Sequence, residues 1–149
     1  MTEVLFYHLE RSPLERVLPE LLEKSLERGW RAIVHVGSVE RMEALDASLW
    51  TFAEDSFLPH GTDRQDNPQD QPVLLTVDSG NQNNAHIRFL LDGAQIDDVS
   101  EYERAIYMFN GLDEDDLKNA RTQWKEYKKT NHKLTYWAQN ETGKWQKKG

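Results

Sequence analysis

Short runs of consecutive apolar residues alternate along this chain with longer segments in which apolar residues recur every three or four positions, and that alternation decides what it folds into. Val4–Tyr7 is apolar throughout and reads as a buried strand. Leu14, Val17, Leu18, Leu21, Leu22 and Leu26 then mark one face of a helix. Ser12 is placed to cap that helix, Pro13 to occupy its first position and Glu15 to complete a capping box, with Gly29 as the stop. Pro19 falls inside the pattern, where a lost hydrogen bond and a ring clash predict a kink or a restart. Arg31–Val36 reads as a second buried strand, and Met42, Leu45 and Leu49 mark a second helix over Val39–Leu49. Strand, helix, strand, helix is the opening of an α/β protein with an open, largely parallel sheet covered on both faces.

Further on, Pro59–Pro72 is polar throughout and reads as a mobile loop, not a linker, because core patterning resumes beyond it. Val73–Val77 and His86–Leu91 are further strands, separated by the polar turn Ser79–Asn84. Glu101–Phe109 reads as helix turning into strand, Leu112–Thr130 as the strongest helix, and Lys133–Ala138 as a last strand before a basic, Trp-containing tail over residues 138–149. With 149 residues, of which 38% are hydrophobic, residues 1–149 are expected to form one domain.

Charge is distributed against the grain of the composition. The chain carries −8 overall, yet from Lys118 onward nine Lys or Arg face two acidic residues, leaving −15 on the residues before. The acidic excess argues against the whole chain gripping nucleic acid phosphates. On a helix, Lys118, Arg121, Lys125, Lys128 and Lys129 fall within roughly a 100° arc. Leu117, Ala120, Trp124 and Tyr127 fill the adjoining one. One reading is an amphipathic helix with Trp124 in the core and a solvated basic face. The other is a docking site for an acidic peptide with an apolar end, in which Arg121 offers a planar fork to a carboxylate and Trp124 a surface for a side chain.

Catalytic and cofactor signatures are missing. The turn after the first strand, His8-Leu9-Glu10-Arg11-Ser12, has no glycine to let backbone N–H groups approach a phosphate. His8, His35, His60, His86 and His132 are scattered without metal-ligand spacing, and His35 sits in an apolar strand. Ser38 is not in a nucleophile elbow. Without cysteine there are no disulfides, thiolate metal sites or cysteine nucleophiles. The chain is read as a non-enzyme with no cofactor and no metal. No apolar run approaches the length of a membrane span and the N-terminus lacks a signal sequence, so a cytoplasmic location is expected.

Five segments stand out together: FYHL (Phe6–Leu9), LWTFAEDSFLPHG (Leu49–Gly61), PVLLT (Pro72–Thr76), LLDG (Leu90–Gly93) and ARTQWKEYKKTNHKLTYWAQNETGKW (Ala120–Trp145). With them the chain resembles the chi subunit of bacterial DNA polymerase III, an accessory protein of the clamp loader. Trp124 stands where some members carry Tyr, and Asn131 where Gly is common. The resemblance implies a Rossmann-like adaptor without nucleotide chemistry that binds the acidic C-terminal tail of the single-stranded-DNA-binding protein, which ends in an Asp-rich stretch and Pro-Phe. Arg121 would then take the terminal carboxylate, Trp124 the terminal Phe, and Lys125 the acids, with Lys118 and Lys128 added on helix geometry. A second surface, with Trp50, Phe57, Pro59 and His60, would meet the psi subunit, another clamp-loader component or a helicase. A competing reading is a direct single-stranded-DNA binder that stacks bases on Trp124, Trp137 and Trp145 between the tail lysines.

Overall fold

The computed structural model describes residues 2–9, 14–50, 60–64, 67–96, 98–139, 142 and 144–148, with the side chain of Trp50 outside that set. Its sheet runs β3-β4-β2-β5-β6-β1-β7-β8. In chain order the strands are β1 Glu3–Leu9, β2 Ala32–His35, β3 Gly61–Thr62, β4 Val73–Thr76, β5 Ile87–Leu90, β6 Arg104–Asn110, β7 Lys133–Gln139 and β8 Trp145–Lys147. All neighbouring pairs are parallel except β7 with β8, so the sheet is open and mostly parallel, as the alternation predicts.

Period-two alternation of β1 distributes the core between the two faces. Leu5 and Leu9 point to one side, where helices α1 (Leu14–Glu27) and α2 (Val39–Trp50) bring Leu18, Leu22, Met42 and Leu45 against Val34, Leu75 and Phe89. Val4 and Phe6 point to the other, where helix α3 (Glu114–Lys128) lays Ala120 and Tyr127 over Tyr107 and Phe109. Fully burying a side chain such as Leu22 or Phe89 contributes roughly 1.5–3 kcal/mol. Helices therefore cover both faces.

Helix α1 runs unbroken through Pro19, which is buried; the expected restart is absent. The carbonyl that Pro19 leaves without a donor belongs to Glu15, in the first turn. The capping residues Ser12 and Pro13 lie outside the described residues. The stop is Gly29 at φ 80°, with Gly29 N–H donating to Leu26 O and Trp30 N–H to Ser25 O. That pair of bonds is a Schellman ending, whose left-handed residue favours glycine.

Three expectations change. Gly61–Thr62, inside the stretch expected to be loop, pairs in parallel with Leu74 and Leu75, and Pro68–Asp70 forms a 3-10 turn. The small residues there hide a two-residue edge strand from apolar patterning. The polar turn between β4 and β5 stands where the sequence places it and joins two strands that flank β2 in parallel, with Asn83 fully buried and donating to Ala32 O and Gln71 O. Residues 100–103 form a turn and a bend, and among the described residues between β5 and β6 there is no helix. The basic tail, finally, is not a tail over its whole length, because β8 folds back on β7.

Candidate functional site

Helix α3 is held in place from both ends and the middle. At its start the Asp113 carboxylate accepts from Asp115 N–H at 3.0 Å and Asp116 N–H at 3.1 Å. Acids in the first turn also face the positive end of the helix dipole. Toward its end the Tyr127 hydroxyl meets that of Tyr107 on β6 at 2.8 Å in the interior. Burial is the main reason that both phenols titrate above their ordinary range. Between these anchors Trp124 stands edge-on to Phe6 at 5.4 Å and to Tyr136 at 5.5 Å.

This docking leaves a cavity of about 220 Å³ between α3 and the carboxyl ends of β6 and β7. Phe109 and Tyr136 form its floor, Leu117, Ala120 and Trp124 its helical wall, and Arg121 and Lys125 its rim. An apolar cavity of ~150 Å³ takes a benzene ring, so one aromatic side chain fits. Below the floor lies His8 of β1. Its ring is 5.0 Å from that of Phe109, and its Nδ1 is 2.6 Å from the Tyr136 hydroxyl. Gly111 is needed here, since a Cβ at that position would overlap the His8 ring.

Among the described residues, none pairs its side chain with the head groups of Arg121, Lys118 or Lys125, and all three are exposed. An unpaired arginine and lysine at the mouth of an aromatic cavity suit an anionic group attached to an apolar one. Lys128 stands differently, with Nζ 5.6 Å from the centre of the Trp124 ring. Lys129 pairs with Glu126 at 3.4 Å. Of the residues expected to act together, Arg121, Trp124 and Lys125 line the cavity, Lys128 touches it through Trp124, and Lys118 does not line it. Phe109 and Tyr136 are the lining residues missed by sequence reasoning. Both are strand residues on the face of β1 that carries Phe6, a relation that only the sheet order reveals.

Of the second expected surface, Trp50 closes helix α2, while Phe57 and Pro59 lie outside the described residues. His60 is buried, with Nε2 3.1 Å from the Asp46 carboxylate of α2. The stacking platform also comes apart. Trp124 packs on the α3 face, whereas Trp137 and Trp145 pack on Tyr7 on the face of α1, at 6.4 and 4.9 Å between ring centres. Aromatics on opposite faces of a sheet do not stack successive bases of one strand. Among the described residues no helix is long and apolar enough to cross a membrane.

Fold and site together define an open α/β sheet protein with a basic-rimmed aromatic cavity at the carboxyl ends of its strands. Residues 1–135 match the family model described as DNA polymerase III chi subunit, HolC, and the chain belongs to that family. It is similar to a probable DNA polymerase III subunit chi of Rickettsia prowazekii (strain Madrid E), at 27% identity across 99% of this chain and 92% of that relative. Among solved structures, the C-terminal domain of the DEAD-box protein Dbp5 resembles it with a TM-score of 0.55 at 15% identity, covering 91% of this chain and 90% of that one. The latter likeness is one of fold alone. Membership of the family gives the chain a role in DNA replication as an accessory subunit of DNA polymerase III, in association with other components of that polymerase.

Proposed function

We propose that the cavity beneath α3 holds the C-terminal end of the single-stranded-DNA-binding protein's acidic tail, and that the chain ties that protein to the polymerase as a non-catalytic adaptor. The observation that carries this reading is the pairing of an apolar cavity of about 220 Å³ with Arg121 and Lys125 at its mouth, neither of which pairs with a carboxylate among the described residues. The terminal Phe enters over Phe109 and Tyr136 and beside Trp124. Arg121 meets the terminal carboxylate with charge-assisted hydrogen bonds, each worth roughly 1.5–3 kcal/mol. Lys125 faces the neighbouring acids, and Lys128 holds the outer side of the Trp124 ring while adding positive potential. Lys118, away from the cavity, contributes only at long range.

Isothermal titration with a synthetic tail peptide tests this. Arg121→Ala is expected to weaken binding by about tenfold or more, and a peptide lacking the terminal Phe to bind poorly even at low salt, where exposed ion pairs are least screened. Lys128→Ala is expected to cost on the order of 1 kcal/mol, as exposed charges do. Wild-type affinity for Arg121→Ala, or undiminished binding of the shortened peptide, would place the site elsewhere. The partner that links the chain to the clamp loader, a psi subunit or another clamp-loader or helicase component, is assigned to the end of α2 through Trp50 with Phe57 and Pro59. In a pull-down with purified clamp-loader components, Trp50→Ala should lose that partner and keep the peptide; loss of both would mark damage to the core.

A further inference from the structure

Strand β8 lies outside the residues that match the family, yet it stands next to the cavity. Lys148 N–H donates to Tyr136 O at 2.6 Å, which continues the β7–β8 register so that Lys148 lies opposite Tyr136. Residues directly opposite in an antiparallel pair share a face, and successive residues alternate. Tyr136 faces α3 and floors the cavity, so Lys148 rises beside it on the same face; Trp145 packs on Tyr7 on the other face, and Lys147 shares that side. Lys148 is exposed, its ammonium is 3.4 Å from the neutral Gln146 amide oxygen, and no carboxylate among the described residues pairs with it.

Two of the other ways out of the cavity suit an acidic chain less. Toward the start of α3 it would meet Glu114 and Asp115, both exposed, and toward β5 it would pass Asp116 and Asn119. Across Tyr136 it meets Gln146 and Lys148 on an open stretch of sheet. We propose that the acidic stretch preceding the peptide's apolar end leaves the cavity across Tyr136 and runs over the β7–β8 ribbon, where Lys148 pairs with one of its carboxylates. The groove thus has two basic walls, Arg121 and Lys125 on α3 and Lys148 at the end of β8. This inference rests on the tail-binding reading and adds a subsite to it.

Fluorescence anisotropy with two labelled peptides tests it, one with Asp residues ahead of a terminal Pro-Phe and one with those residues changed to Asn. Each is titrated with the full chain and with Lys148→Glu and Lys147→Glu, which change net charge identically and lie on opposite faces at the end of one exposed edge strand. Lys148→Glu is expected to weaken the Asp peptide about fivefold, the scale of one exposed ion pair, and to leave the Asn peptide unchanged. Lys147→Glu should leave both unchanged. Equal loss in the two variants, or none in Lys148→Glu while the wild type binds, overturns the subsite alone. A wild-type chain that binds neither peptide removes the tail reading and the subsite with it. An oligothymidylate whose binding depends on Lys148 when the Asp peptide's does not would make the ribbon a nucleic-acid surface and overturn the proposal.

Discussion

Gly111 acts on the cavity without touching it. A methyl group there displaces the His8 ring, which lies against Phe109 and meets the Tyr136 hydroxyl, so both floor residues lose a neighbour at once. Gly111→Ala is therefore expected to weaken the tail peptide several-fold while Arg121, Trp124 and Lys125 are all in place. His8→Ala in the same background makes room for the methyl group, so the second change should cost less than it does in the wild type. Titration of the four proteins closes a double-mutant cycle, and strictly additive losses would show that the two residues do not act through one contact. Arg121 and Trp124 were legible in the sequence because helical spacing alone puts a planar cation beside a large aromatic. Nothing in the spacing connects Gly111 to His8, which are about a hundred positions apart and meet only because β1 pairs with β6.

At the scale of elements, α3 was legible in full: a run of acids, an apolar stripe and a basic last turn all agree with one helix. Asp113→Ala removes the acceptor of two first-turn N–H groups and is expected to cost about 1 kcal/mol in chemical denaturation. Peptide affinity should hardly change, because Tyr127 and Trp124 pin the middle and end of the helix. A large fall in affinity would mean that the first turn itself contacts the peptide. Short strands were the least legible elements. β3 is Gly61–Thr62, and β8 carries a single apolar residue, Trp145, so neither has the alternation that marks a half-buried strand. Both are edges, where partner backbone in place of side-chain burial sustains pairing. The turn before β5 is polar in the sequence and polar inside: Asn83 donates to Ala32 O of β2 and to Gln71 O, and Arg88 of β5 donates to Gly80 O and Asp78 O of the turn.

At the scale of the whole molecule, one buried polar group ties stability to pH. Arg88 of β5 is fully buried and donates to Gly80 O, to Asp78 O, to the Tyr102 hydroxyl and, at 2.8 Å, to His35 Nδ1 of β2. A guanidinium only donates, so Nδ1 accepts and His35 is neutral in the folded chain. Burial first, and then the charge of Arg88, lower the His35 pKa from 6.5 to about 4; hydrogen bonding to Val77 and the charge of Asp78 oppose this. In the unfolded chain the imidazole returns to its ordinary value. Above pH 6.5 it is neutral in both states and pH has no effect through it. Between about pH 6.5 and 4 the unfolded chain binds a proton that the folded chain does not, so stability falls as the pH is lowered, by up to about 3 kcal/mol. His35→Asn keeps an acceptor near Nδ1 and removes the titration. Urea unfolding at a series of pH values is therefore expected to show the wild type losing stability relative to His35→Asn between pH 6.5 and 4.5, with the two curves parallel above pH 7. Comparing the two proteins cancels the carboxylates, which titrate in both. A constant difference across the whole range would show that His35 binds its proton equally well folded and unfolded, and that Arg88 holds the crossover to the sheet without it.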